Sequence, residues 1–177
     1  MFLLTLKENL FLSQGLRIFS TLFILCLLHI PVFFKVILVM ITDSLDCGIP
    51  KLIFHDWADP NTNLYQISDK ITDMLTYFIL LLYFFQVKYL ERKENIILSV
   101  LLFYRCIGEI IFFMTQDRYY LLIFPNFFLE TSLILTGKKY FQIPDAYNPI
   151  FFLGIILWKI IQEYYLHIYK YRKSLSS

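Results

Sequence analysis

The sequence predicts an all-α protein, a polytopic transmembrane helical bundle with about five spans and an N-terminal interfacial helix. Of its 177 residues, 58% are hydrophobic and 17% are charged, whereas soluble domains average about 25% charged residues. A chain of this length has too little interior to hide so much apolar side chain from water. The charged residues also fall mainly in short joints between long apolar runs, which is typical of an integral, multi-pass membrane protein.

Five segments are candidates for membrane spans, since each approaches the roughly 20 apolar residues that a helix needs to cross the hydrocarbon core. Before them, residues 1–15 place short apolar runs around Lys7 and Glu8, which favours an amphipathic helix lying in the membrane interface. We expect one integral membrane domain over residues 1–177. The expected spans are residues 16–41, 71–87, 96–114, 119–136 and 149–167.

Charge and cysteine content exclude several classes of function. Sixteen Lys and Arg against fourteen Asp and Glu give a formal charge of +2, which is not the strongly basic surface of a nucleic-acid-binding protein. The three cysteines are far apart and form no CxxC pair, so neither a disulfide framework nor a zinc site is indicated. The expected partner is membrane lipid and not nucleic acid, and the sequence leaves a homodimer open.

Four aspartates flank the joint between the first two expected spans. Asp43 and Asp46 are three residues apart at the end of the first span, and Asp69 and Asp73 are four apart at the start of the second. Residues at these spacings share one face of a helix. Four close carboxylates repel one another unless a cation neutralises them, and hard divalent ions prefer such oxygen ligands. Helix capping, with Ser68 or Asp69 as the cap, is the alternative interpretation.

The segment from Asp43 to Asp73 resembles the signature of the CDP-alcohol phosphotransferase family. In that family, D-x-x-D-G-x-x-A-R ends one transmembrane helix and G-x-x-x-D-x-x-x-D opens the next. The four aspartates match the acidic positions, and Lys51 falls where the family has its Arg. The chain departs from the pattern at both glycines, since Gly48 is displaced by one and Tyr65 takes the second position. Only a short N-terminal segment precedes the expected helix that ends in the first acidic pair.

The resemblance implies a membrane transferase of phospholipid biosynthesis that depends on Mg²⁺ or Mn²⁺. Such an enzyme moves a phospho-alcohol group from a CDP-linked donor to a hydroxyl acceptor. It implies that Asp43, Asp46, Asp69 and Asp73 hold the metal and that Lys51 contacts phosphate of the donor. Asp73 is then also the base that takes the proton from the acceptor alcohol.

Three further ionisable residues lie within the expected spans. Arg105 and Glu109 are four apart on one face of the third span, and Glu130 in the fourth is placed to join Arg105 from a neighbouring helix. They form either a structural ion pair or a polar pocket for a lipid headgroup or acceptor alcohol, with Arg105 on its phosphate.

Two alternatives to the transferase remain open at the level of sequence. The first is a non-catalytic multi-span protein that binds a lipid or a partner membrane protein, with its acids serving as caps and charge pairs. The second is a proton- or ion-coupled transporter that uses Arg105, Glu109 and Glu130, although the chain shows little sign of the paired repeats typical of transporters.

Overall fold

A computed structural model describes residues 6–44, 62–144 and 148–165 of the chain. The described residues are helical and contain no strand, which confirms the predicted all-α class. In chain order the helices are α1 (Leu6–Cys26), α2 (Val32–Ser44), α3 (Asn63–Val87), α4 (Arg92–Thr115), α5 (Tyr119–Ile123), α6 (Phe128–Phe141) and α7 (Asn148–Glu163).

Four described segments are long and apolar enough to cross a bilayer, and Pro149–Gln162 is a shorter apolar helix. Many large apolar side chains lie on the surface, among them Phe103 at 69% exposure and Met114 at 82%. A surface of this kind is covered by lipid in a membrane protein. The four segments are Asn9–Cys26, Asn63–Val87, Arg92–Thr115 and Tyr119–Phe141.

The first expected span, residues 16–41, is wrong as a single helix. The chain leaves the helical conformation after Cys26 and resumes it at Val32. Pro31 favours the break, because it has no N–H to donate to the preceding turn and its ring clashes with the carbonyl four residues before it. Its carbonyl instead accepts a 3.2 Å hydrogen bond from the backbone N–H of Lys35 at the start of α2.

The expected interfacial helix over residues 1–15 is also wrong in its extent. Residues 6–15 continue into residues 16–26 as the single helix α1. The apolar window of that helix already begins at Asn9. A long apolar helix therefore precedes α2, the helix that carries Asp43 near its end.

The segment between α5 and α6 contains Pro125, which interrupts the fourth span between Ile123 and Phe128. The side-chain Oδ1 of Asn126 accepts a 3.2 Å hydrogen bond from the backbone N–H of Phe128. This bond satisfies one of the donors that a helix start leaves unpaired.

The chain separates into two compact units, one up to Tyr83 and the other from Phe84 onward. Each unit has its own buried apolar residues. In the first unit these include Leu10, Val36, Val39, Tyr77 and Leu80. In the second they include Phe84, Leu98, Phe112, Leu121 and Phe128. The single-domain organisation stays a prediction.

Candidate functional site

Helix α1 carries a polar stripe on a buried face. Asn9, Ser13, Arg17 and Thr21 follow one another at intervals of four residues, and each is at most 6% exposed. Residues at this spacing lie above one another on a helix. The stripe therefore points into the first unit and not toward lipid.

Arg17 in this stripe is the centre of a buried charge cluster. Its Nη2 donates to Oδ1 of Asp43 and to Oδ1 of Asp73. Its Nη1 donates to Oδ1 of Asp69 at 3.1 Å. The guanidinium has several donors in one plane, which allows it to meet carboxylates from two helices at once.

A second cation, Lys70, closes the same cluster from α3. Its Nζ lies 2.6 Å from Oδ2 of Asp69 and 2.9 Å from Oδ2 of Asp73. The side chains of Arg17, Asp69 and Asp73 are at most 10% exposed, and that of Asp43 is 24% exposed. Among these five residues, three carboxylates face two cations, so one negative charge is in excess.

The structure brings together three of the residues that the sequence places at the site. Asp43 near the end of α2 lies beside Asp69 and Asp73 in α3, because all three carboxylates contact the same guanidinium. Asp46 and Lys51 lie outside the described residues, so their predicted roles stay predictions.

Sequence reasoning missed Arg17 and Lys70 as members of the site. Arg17 is 26 residues from Asp43 and 56 from Asp73, and no motif connects them. The sequence signal for Arg17 is that polar residues recur at every fourth position of α1, in the polar stripe described above. Lys70 is three residues before Asp73, on the same helix face.

The carboxylates fit a hard divalent cation in their chemistry, since Mg²⁺ and Ca²⁺ prefer oxygen ligands. They do not fit one in their present arrangement, because Arg17 takes the position between Asp43, Asp69 and Asp73. Across residues 6–44, 62–144 and 148–165, no group of three or more His, Cys, Asp or Glu is disposed to hold a metal ion. A metal would have to displace the guanidinium.

Arg105 and Glu109 form the buried pair that their spacing predicts. Nε of Arg105 donates to Oε1 of Glu109 at 2.8 Å, and the two side chains are 2% and 0% exposed. Nη1 of Arg105 also donates to the backbone carbonyls of Leu121 at 3.3 Å and Phe124 at 2.6 Å. This arginine therefore fastens α4 to the end of α5, which is a structural role.

Glu130 does not join Arg105, contrary to the expectation. Its Oε1 lies 2.6 Å from Nζ of Lys159 in α7, and both side chains are at most 15% exposed. Arg105 instead directs its Nε to Glu109 and its Nη1 to the carbonyls of Leu121 and Phe124. Glu130 and Lys159 instead connect α6 to α7.

Comparison with protein-family models, curated proteins and solved structures finds no match for this chain.

Proposed function

We propose that this chain is an integral membrane phosphotransferase of the CDP-alcohol type. It would transfer a phospho-alcohol group from a CDP-linked donor to a hydroxyl acceptor in phospholipid synthesis. The observation that carries the proposal is the meeting of Asp43 from the end of α2 with Asp69 and Asp73 from the start of α3. These are three of the four acidic positions of the pattern that the sequence resembles.

The helix order supports the same proposal. The family pattern has a complete span before the helix that ends in the first acidic pair, and the sequence alone offers only a short segment there. Helix α1 supplies an apolar helix of full length at that place. A complete apolar helix therefore stands before α2, although α2 itself has 13 residues and is not among the described segments long enough to cross a bilayer.

In this proposal Asp73 takes the proton from the acceptor hydroxyl. Its Oδ1 accepts one hydrogen bond from Arg17 and its Oδ2 accepts one from Lys70. A carboxylate oxygen has two lone-pair positions, so each oxygen keeps one for an alcohol within hydrogen-bond reach. Lys70 would keep orienting this carboxylate when Arg17 releases it to admit a metal, because Lys70 lies on the same helix as Asp73.

Asp43, Asp46, Asp69 and Asp73 would hold Mg²⁺ or Mn²⁺, and Lys51 would contact phosphate of the donor. A divalent ion held there would supply positive charge to offset the charge of the bridging phosphates and of the CMP that leaves. For it to enter, Arg17 must release the carboxylates. A freed guanidinium is well suited to a phosphate, because its fork of donors matches two phosphate oxygens.

The test is release of CMP from CDP-diacylglycerol or CDP-choline by the purified full chain, with Mg²⁺ or Mn²⁺ and a panel of alcohol acceptors. Wild type should release CMP only with the divalent ion, and its thermal midpoint should rise on metal binding. Asp73→Asn should abolish release and remain folded. Asp117→Asn is the matched control, because Asp117 is exposed and lies outside the cluster.

A non-catalytic membrane protein that binds a lipid or a partner is the second candidate. It is favoured by the fact that Arg17 and Lys70 already engage the three acids. Tyr65 favours it as well, since it is buried where the family has a glycine. If no donor releases CMP and neither metal shifts the thermal midpoint, the transferase is excluded and this candidate stands.

A further inference from the structure

A groove of about 380 Å³ lies between α1 and α3. Phe11 and Ile18 of α1 and Leu64, Ile71 and Leu75 of α3 form its apolar walls. From Leu64 to Leu75 it follows the helix axis for about 16 Å, at 1.5 Å per residue. Phe11 is 62% exposed and Leu75 is 46% exposed, so the groove opens to the surroundings of the helices. In a membrane those surroundings are acyl chains.

Three polar side chains, Gln14, Ser68 and Thr72, also line this groove. Gln14 is 4% exposed, and neither its Nε2 nor its Oε1 has a hydrogen-bond partner among the described residues. A buried amide without a partner is costly, and in hydrocarbon water does not supply the missing bond. Such a group in a binding groove indicates a ligand that carries the complementary polar atom.

We propose that the groove binds a glycerolipid of the surrounding bilayer, with one acyl chain along the apolar walls and its ester carbonyl at Gln14. The ester carbonyl accepts a hydrogen bond from Nε2, which an ether-linked lipid cannot do. Gln14 lies three residues before Arg17 on α1, so the polar end of the bound lipid lies on the side of the charge cluster. The proposal does not depend on the phosphotransferase activity.

The chain contains a matched pair of glycines for testing the groove. Gly15 lines it, and a Cβ added at Gly15 would meet nothing within 4 Å. Gly154 in α7 has the same free space and lies outside the groove. Leucine at Gly15 should fill the groove without disturbing the helix, whereas leucine at Gly154 should leave it open.

The probe is phosphatidylcholine with a diazirine in one acyl chain, incorporated into phosphatidylcholine vesicles that contain the full chain. After irradiation, mass spectrometry should find the adduct on groove residues of α1 and α3 in wild type and in Gly154→Leu. Gly15→Leu should lose these adducts, and Gly15→Ala should show an intermediate loss. Equal labelling of Gly15→Leu and wild type would overturn the proposal, as would chains crosslinked to each other at the groove.

The hydrogen bond is tested by competition with unlabelled ester-linked and ether-linked phosphatidylcholine. The ester lipid should compete about fivefold better in wild type, which is the effect of one ordinary hydrogen bond. Gln14→Leu should lose that preference and still be labelled. If the ether lipid competes equally with the ester lipid in wild type, Gln14 does not donate a hydrogen bond to the ester carbonyl and the proposal is wrong. The assay contains no metal and no CDP-linked donor, so its outcome is independent of the transferase test.

Discussion

Arg17 allows three carboxylates to lie side by side within an apolar helical unit. Asp43, Asp69 and Asp73 would repel one another at this distance, and each would carry a large desolvation cost if left alone. The guanidinium contacts all three. A planar group with a fixed fork of donors does this better than a lysine ammonium, which is a single point of charge.

Arg17→Met should therefore destabilise the protein strongly, because it leaves buried carboxylates with less compensating charge. Breaking a buried ion pair by removing one partner costs about 3–5 kcal/mol in the free energy of unfolding. The measurement is an unfolding titration with sodium dodecyl sulfate in mixed micelles.

The control for Arg17 is Lys93→Met. Lys93 pairs with Glu91 at 3.2 Å, but the two side chains are 70% and 63% exposed. An exposed pair contributes about 0–1 kcal/mol. Equal losses in the two variants would contradict the assignment of Arg17 as the centre of a buried cluster.

Gly108 is required for close packing in the second unit. A Cβ added there would lie 2.3 Å from Cβ of Phe124 and 2.7 Å from its Cγ. These atoms are near the backbone and cannot move aside easily. Gly108→Ala should lower the free energy of unfolding by about 1–3 kcal/mol, which is typical of overpacking.

Gly154→Ala is the control for this substitution, because its Cβ would meet nothing within 4 Å. Alanine also favours the helix over glycine, so this variant should be at least as stable as wild type. Thermal unfolding followed by circular dichroism compares the two. A Gly108→Ala protein as stable as Gly154→Ala would show that Phe124 does not pack against residue 108.

At the scale of whole elements, Lys35 connects the first two helices. Its Nζ donates to the carbonyl of Leu25 in the last turn of α1 at 2.8 Å and to the hydroxyl of Tyr83 in α3 at 3.0 Å. The ammonium also lies 4.9 Å from the centre of the Tyr83 ring. A cation near the carbonyl end of a helix satisfies unpaired acceptors and interacts favourably with the helix dipole.

Lys35→Met should loosen the junction of α1 and α2, since it removes a charged donor from a buried carbonyl. The loss expected for a hydrogen bond that involves a charged group is about 1.5–3 kcal/mol. Lys139→Met is the control for Lys35→Met. The Nζ of Lys139 also donates to a backbone carbonyl, that of Tyr89, and it lies 4.8 Å from the centre of the Tyr89 ring.

The two lysines differ in burial, since Lys35 is 3% exposed and Lys139 is exposed. Lys35→Met should therefore have the larger effect on unfolding in mixed micelles. Hydrogen exchange of the α1 C-terminal turn should also become faster in that variant. Unchanged exchange there would mean that Lys35 does not hold the end of α1.

These helices show which structural features the sequence predicts and which it does not. Apolar length predicts that α3 and α4 are helices, because a run of apolar residues in a membrane chain has few other structures. It does not predict the start of α3, which begins at Asn63 and not at the expected residue 71. The sequence does not decide the division at Pro31, since a proline leaves open whether the helix bends or stops. The surrounding contacts decide that, and Lys35 supplies one of them across the break.

For the molecule as a whole, the sequence predicts which apolar segments form helices better than it predicts which helices contact each other. Asp43 near the end of α2 lies beside Asp69 and Asp73 near the start of α3, as the shared-cation hypothesis expects. The cation between them comes from α1, and Glu130 pairs with a residue 29 positions away in α7. These pairings depend on which helix faces pack together, and periodicity within one helix does not contain that information.

The exposed apolar side chains of the described helices form the surface that we expect to contact lipid. Phe103 of α4 is 69% exposed, whereas Asp117 is exposed in the polar joint after that helix. The test uses spin labels at Phe103→Cys and Asp117→Cys, in a chain with its own cysteines replaced by serine. The labels report whether lipid or water surrounds each site.

The label at residue 103 should relax with oxygen, which concentrates among acyl chains, and should be protected from a water-soluble nickel chelate. The label at residue 117 should show the reverse, because a polar joint lies at the aqueous side of a span. Both measurements use the chain in phosphatidylcholine vesicles. If the nickel chelate reaches residue 103 as readily as residue 117, α4 does not face lipid, and the exposed apolar side chains of this helix need a protein partner to cover them.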